Sequence, residues 1–284
     1  MRLNLEGRTA LVTGATTGIG RGIANVLAAE GVKLAIAGRR AGALAEVAAA
    51  IEKSGAIKPV VIAGDLQEAA GTAALASQAL QALGGRVDIL INNAGASRPV
   101  ADPNDDAIWE ESLALNFASA RRLTNSLVPP MRDAKWGRIV NLTGALVAAS
   151  ANAISPAKAA LNSWSRGLAM QLAPHGITVN AIAPGRINSE QIRTKLHPTD
   201  ESRDAFIRQF IPSGYFGEPE DIAHLVAFLS SPLARYINGA AILYGTLPFD
   251  AGVSTIPGRL AGLPVLGAHG DTDTVISWDL LVRT

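Results

Sequence analysis

The sequence contains no cysteine, which excludes disulfides, thiolate metal ligands and cysteine nucleophiles, and no metal site is expected. Aromatic residues make up only 5% of the chain and charged residues 17%. Acids and bases nearly cancel, leaving a formal net charge of +1, so neither a nucleic acid nor an anionic membrane is an expected partner. No stretch reaches the ~18–20 uninterrupted apolar residues of a membrane span. The opening MRLNLEGRTALVTG has no long apolar run behind a basic end, as a secretory signal would. A cytoplasmic protein is expected. What the chain does have is 48% hydrophobic residues and 28 glycines, the composition of Ala/Val/Ile-rich parallel strands under small-residue helices. Its 284 residues suit one large α/β domain.

Short apolar runs alternate with longer helix-like segments. The runs Thr9–Val12, Lys33–Ala37, Lys58–Ile62, Val87–Ile91, Arg138–Leu142, Thr178–Ile182 and Ala240–Leu243 read as strands. Gly18–Glu30, Ala43–Lys53, Ala69–Leu83, Ala107–Met131, Ala157–Leu172 and Glu218–Leu229 read as helices, with apolar residues recurring every three or four positions, as at Ile222, Val226 and Leu229. Strands separated by intervals this long imply right-handed crossovers and a Rossmann-type, doubly wound parallel sheet of about seven strands. No repeat or linker divides residues 1–252, which read as one dinucleotide-binding domain. Residues 253–284 form a Gly- and Pro-rich extension ending in the apolar run Val275–Val282, expected to pack on the domain or on a neighbouring subunit.

The first strand runs into Thr13-Gly14-Ala15-Thr16-Thr17-Gly18-Ile19-Gly20. Glycines at a strand-to-helix turn let backbone approach a pyrophosphate, which the helix's free amides and positive end then hold. A lone glycine triplet is a weak signal, but other segments accompany it: Asn92-Asn93-Ala94-Gly95, Asn116, GRIVN at 137–141, Lys158 in AKAAL, and Pro184-Gly185. In these motifs the chain resembles the short-chain dehydrogenase/reductase family from Leu5 to Gly252. The resemblance implies that Gly14, Thr16, Thr17, Gly18, Ile19 and Gly20 line the dinucleotide's phosphates. Asp65 and Leu66 would meet the adenine, with Asn92, Ala94 and Gly95 on the adenosine side of the cleft. Pro184, Gly185, Ile187 and Ser189 would face the nicotinamide and phosphates, and Lys158 its ribose.

An acidic residue at the end of the second strand would select NAD through the ribose 2′-hydroxyl. This strand ends Ala37-Gly38-Arg39-Arg40, with no carboxylate, and Arg39 can fork onto a 2′-phosphate. NADP(H) is therefore the expected cofactor, although Thr17 stands where many NADP-using relatives carry a second basic residue.

In the family a Tyr four residues before the Lys gives its proton to the substrate oxygen, and an upstream Ser hydrogen-bonds the same oxygen. Here Ile154 occupies the Tyr position and Gly144 the Ser position, with Thr143 just before it and a shortened loop between. Lys158 and Asn116 remain, so Lys158, Asn116 and Thr143 are the expected catalytic residues. A positioned acid or base typically contributes ~10²–10⁴-fold, so its loss slows reduction without forbidding it, provided another proton source exists. Candidates are a water held by Lys158 and Asn116, the hydroxyls of Thr143 or Ser155, His197, or the substrate itself. Tyr215, Tyr236, Tyr244, His175 and His224 read as structural, and Ser155 as a helix-start hydroxyl.

Three activities are compatible with this pattern. The leading one is an NADPH-dependent carbonyl reductase with a non-standard proton route. The others are a non-redox lyase or isomerase, and an inactive nucleotide-binding sensor or scaffold subunit. The segment from Ile187 to Pro212 is expected to cover the substrate, and its mixture of Lys195, His197, Asp200 and Arg203 with Phe206, Phe210 and Ile211 suits a mid-sized, partly polar carbonyl compound, of which phenolic or polyketide-like ketones are examples. Pairing through the long helices predicts a homodimer or homotetramer.

Overall fold

The computed structural model describes residues 2–96, 100, 102, 104–144, 152–190 and 192–244. Seven parallel strands form one sheet: β1 (Thr9–Thr13), β2 (Lys33–Gly38), β3 (Val60–Ala63), β4 (Ile89–Asn92), β5 (Gly137–Leu142), β6 (Ile177–Pro184) and β7 (Ala241–Tyr244). Their order is β3-β2-β1-β4-β5-β6-β7. The order reverses direction between β1 and β4, and that is where an open α/β sheet opens a ligand crevice beyond the carboxyl ends of its strands.

Strand residues alternate strictly between the two faces. Ala10 and Val12 of β1, with Ile89 and Ile91 of β4, pack under α1 (Gly18–Ala29), α2 (Ala41–Lys53) and α8 (Pro219–Ser230). Leu11 and Leu90, one position on, pack under α3 (Ala69–Ala82), α5 (Ser119–Asp133) and α6 (Ile154–Leu172). Burial on both faces is why the strands read as continuous apolar runs rather than alternating ones.

Most boundaries fall within one or two residues of the sequence expectation. The helix expected over Ala107–Met131 is instead α4 (Asp106–Leu113), one π turn (Ala114–Ala118) and α5, in unbroken succession. The π turn admits an extra residue and re-aims the side chains around it, here Asn116. The expected substrate-covering loop contains a helix of its own, α7 (Asp200–Phe210), after a π turn at Ile192–Leu196. Thr199 caps α7, its Oγ1 accepting from the Ser202 amide at 3.2 Å, and Asp200 and Glu201 in the first turn complement the helix dipole.

Residues 253–284, residues 145–151 of the shortened loop, and the side chains of Lys195 and Tyr244 lie outside the described residues. Among the described residues no helix is long and apolar enough to cross a membrane.

Candidate active site

The turn after β1 is built so that backbone can lie close to backbone. Gly14 has φ +65°, and a Cβ there would meet the Asn93 Nδ2 at 2.9 Å. At Gly20 a Cβ would sit 2.2 Å from the Gly14 carbonyl oxygen. Thr13 and Asn93 brace this turn against the end of β4. The Thr13 hydroxyl donates to the Ile91 carbonyl at 3.1 Å and accepts the amides of Asn93 and Ala94, both at 3.0 Å. The Asn93 amide group donates to the carbonyls of Thr13 and Gly14. No side chain caps the first turn of α1, so its amides are open to a phosphate ligand at the positive end of the helix. Glycines that no other residue can replace, together with these uncapped amides, fit a dinucleotide pyrophosphate.

Across the crevice, a Cβ on Gly18 would touch the Ser189 Cβ at 3.1 Å, so the segment after β6 closes over the glycine turn. That segment is pinned to the start of α8: the Asn188 amide donates to the Gly217 carbonyl at 2.8 Å, and the Gly217 amide to the Arg186 carbonyl at 3.0 Å. The Ile187 side chain is buried against Gly217. At the far end of the crevice Arg39 is exposed and makes no hydrogen bond or ion pair among the described residues. Its neighbour Arg40 donates to the Thr16 hydroxyl at 3.4 Å and lies 3.8 Å from the Glu190 carboxylate. Thr16 also packs beside Gly38 at the end of β2.

Toward the start of α6 the crevice holds a buried lysine. Lys158 is 7% exposed, and its Nζ donates to the Leu142 carbonyl at 2.6 Å. Burial lowers its pKa from 10.5 to about 8. Asn116 is also buried: its Oδ1 accepts the Ala96 amide at 3.1 Å, and its Nδ2 donates to the carbonyls of Ala96 and Ser112, both at 3.1 Å. Ser112 in turn donates to the Ala153 carbonyl at 2.7 Å, tying α4 to the start of α6. Gly95 lies between the two groups, since a Cβ there would be 2.6 Å from the Asn116 Oδ1 and 3.2 Å from the Lys158 Nζ. Two polar atoms so close to one point are within reach of a single bridging water. Ile154 begins α6, one turn before Lys158.

A family model described as enoyl-(acyl carrier protein) reductase matches residues 14–253. The chain belongs to the short-chain dehydrogenase/reductase family. Among curated relatives, the 3-oxoacyl-(acyl-carrier-protein) reductase FabG of Aquifex aeolicus is 36% identical, covering 85% of this chain and 97% of its own. The D-beta-hydroxybutyrate dehydrogenase of Cupriavidus necator is 33% identical, covering 83% of this chain and 95% of its own. Among solved structures, L-sorbose reductase from Gluconobacter frateurii in complex with NADPH and L-sorbose superposes with a TM-score of 0.80 at 27% identity, covering 87% of this chain and 98% of that one.

Set in this short-chain dehydrogenase/reductase, the residues singled out in the sequence fall into two groups. Gly14, Thr16, Thr17, Gly18, Ile19, Gly20, Arg39, Ala94, Gly95, Asn116, Lys158, Pro184, Gly185, Ile187 and Ser189 all lie at the carboxyl ends of the strands or on the elements that leave them. Others have side chains committed elsewhere. The Asn92 amide is buried in the core, donating to the Asn141 Oδ1 at 2.8 Å and the Thr124 hydroxyl at 3.1 Å, so only its backbone is left to face a ligand. Leu66 is a core residue under β3. Asp65 is exposed and accepts the Gln67 amide at 3.0 Å. The Thr143 hydroxyl donates to the Ile182 carbonyl at 3.0 Å, so its hydrogen is spent on β6. The Ser155 hydroxyl donates to the Asn152 Oδ1 at 2.9 Å, and that oxygen also accepts the Ser155 amide, which makes Ser155 part of a helix start.

Of the braces, Thr13 and Asn93 stand in the sequence motifs without a role assigned to their side chains, and Ser112 is not among the candidates. The spacing of Ser112 and Asn116, one helical turn apart, is the signal that relates them.

Proposed function

We propose that this short-chain dehydrogenase/reductase is an NADPH-dependent carbonyl reductase in which Lys158, acting through a water held against Asn116, takes the place of a phenolic proton donor. Bound NADPH supplies a hydride to the carbonyl carbon. The chain's own residues must then deliver one proton to the carbonyl oxygen. Ile154 has none to give, and the hydroxyl hydrogens of Thr143 and Ser155 already serve backbone and helix start. Lys158 remains. Its ammonium has been brought to a pKa of about 8 by burial, close to the operating pH at which a general acid works best. It gives a proton through the water to the forming alkoxide and regains one from solvent along the same water. While charged, it also stabilises the negative oxygen in a water-poor site. Thr143 contributes by shaping the wall beside Lys158.

NADPH is favoured over NADH because β2 leads into Arg39 with no acidic residue of its own, and Arg39 makes no hydrogen bond or ion pair among the described residues, while the Glu190 carboxylate lies against Arg40. The uncapped first turn of α1 holds the phosphates, and Ser189 and Ile187 close over the nicotinamide end. We also infer a homo-oligomer that pairs through α6 and its neighbours. The substrate is a mid-sized, partly polar ketone.

The observation that carries the reading is the buried Lys158 ammonium beside Asn116. Single-turnover absorbance of NADPH with a panel of ketones tests it. Lys158→Ala is expected to slow hydride transfer by about 100-fold or more. Ile154→Tyr should raise turnover on small generic ketones, and a Cβ at Gly144 fits at 3.7 Å from the Lys158 Cγ, so Gly144→Ser is tolerated beside it. If NADPH binds tightly, no carbonyl is reduced, and Lys158→Ala alters affinity alone, the protein is a nucleotide sensor instead.

A further inference from the structure

Arg186 follows directly after Pro184-Gly185, where β6 leaves the sheet, and β6 pairs with β5 through Leu142↔Ile182. Leu142 is the residue whose carbonyl anchors Lys158, so Arg186 leaves the strand next to the one that anchors Lys158. Its guanidinium does not point to open water. It lies over the Phe206 ring of α7, 4.8 Å from the centroid. Its Nε is buried and has no hydrogen-bond partner, and no carboxylate among the described residues pairs with it. Burial lowers its pKa. The same aromatic cluster holds His197, whose ring is 4.7 Å from Phe206 and 5.6 Å from Phe216, centroid to centroid. The His197 Nε2 is likewise buried without a partner among the described residues. Desolvation first, then the charges of Arg186 and Arg203, lower its pKa and keep the ring neutral. Arg203 is already satisfied by Asp200, one turn before it on α7.

Two unmet polar groups, one of them a full positive charge, thus meet in one aromatic cluster between the segment after β6 and α7. Stacking on Phe206 returns only part of what such a cation loses on leaving water. A buried donor left without an acceptor keeps its full desolvation cost, and a charged one keeps more. We propose that Arg186 and His197 are the receptor for a carboxylate on the substrate, so that the ketone this enzyme reduces is a keto acid. A guanidinium fork matches a planar carboxylate through two parallel hydrogen bonds. One full charge beside a neutral imidazole balances a monoanion and leaves a phosphate dianion half unpaired. Phe206 and Phe216 supply the apolar wall that keeps water from the pair. The inference rests on the reductase reading for the word ketone, but the anion site stands on its own geometry.

The test compares keto acids of four to eight carbons with their methyl esters, on the whole chain in the presence and absence of NADP⁺. Ligand-induced thermal shift and tryptophan quenching report binding without turnover. At least one acid is expected to bind ten-fold or more tightly than its own ester. Arg186→Met should erase that preference while leaving NADP⁺ affinity unchanged, and Arg186→Lys should restore it in part. His197→Phe, which keeps the aromatic enclosure, should weaken the acid and not the ester. Equal binding of acid and ester, no binding of any acid, or an Arg186→Met variant that keeps the preference each overturns the proposal, and Arg186 is then a stacking residue of α7. Turnover separates the two readings. Acid-selective binding without reduction overturns the reductase and keeps the anion site, whereas reduction of acid and ester at equal efficiency does the opposite.

Discussion

Lys158 holds a charge where charge is costly, and its pKa records the cost. Folding lowers that pKa from 10.5 to about 8, so between those values the unfolded chain binds more protons than the native one and stability rises with pH. The rise amounts to roughly 3 kcal/mol when complete. Below about pH 8 both states are protonated and the full penalty stands. In urea unfolding of the nucleotide-free protein, Lys158→Met is therefore expected to remove most of the stability gained between pH 8 and pH 10, the test being the difference between wild type and variant at each pH. A second residue-scale prediction concerns the cofactor. Arg39 is exposed and makes no hydrogen bond or ion pair among the described residues, and Arg39→Asp should reverse the preference from NADPH to NADH. Equal affinity of the parent protein for both nucleotides would remove the assignment. Residue identity was enough to nominate Arg39 and Lys158 as site candidates, because what is proposed for them lies in their charge and in the motif around them. It was not enough for Thr143 or Ser155, since a hydroxyl's usefulness depends on where its hydrogen already goes.

Among the elements, α1 and α2 show how differently two glycines near a helix start can behave. A Cβ at Gly20 would strike the Gly14 carbonyl oxygen at 2.2 Å, whereas one at Gly42 meets nothing within 4 Å. Gly20→Ala should force α1 away from the turn, abolish nucleotide binding measured by fluorescence, and lower the melting temperature. Gly42→Ala should leave binding intact and add ~0.5–1 kcal/mol of stability by narrowing the unfolded ensemble. The alternation of strands and helices was legible because both periods are strong in this sequence. Other features were less so. All of Ile89, Leu90, Ile91 and Asn92 are buried, so burial alone could not tell which way Asn92 turns. The answer lies in the register: Asn92 stands opposite Asn141 on the adjacent parallel strand, and the two amides meet. Asn141 then donates to Ser165 at 2.7 Å, which links β4, β5 and α6 in one buried chain. Asn141→Leu should destabilise the domain by about 1–3 kcal/mol by stranding the Asn92 amide, with denaturant midpoints as the measure. The capping signals of α7 were present at Thr199, Asp200 and Glu201 but were masked by the reading of that whole stretch as a loop over the substrate.

At the scale of the whole molecule, the outer face of α6 is a row of small exposed residues, Ala159, Ser163 and Gly167, ending at Met170, which is 81% exposed. A Cβ on Gly167 would touch nothing. Such a row lets a second helix approach closely, and Met170 supplies an adaptable apolar contact. Met170→Glu is expected to shift the protein toward smaller species in light scattering, and a parent chain that runs as a clean monomer would overturn the pairing through α6. The strand order also bears on how the chain is made. Once β1, β2 and β3 have formed, every later strand attaches to the same growing border: β4 to β1, β5 to β4, β6 to β5 and β7 to β6. A chain leaving the ribosome amino end first can therefore add its sheet in the order in which it is synthesised, with no strand waiting for a later one to be slotted between it and its neighbour. From β4 onward the growing border is the newest strand, still near the tunnel exit, where a pairing-prone edge is least accessible to other chains, while β3 stays the opposite edge.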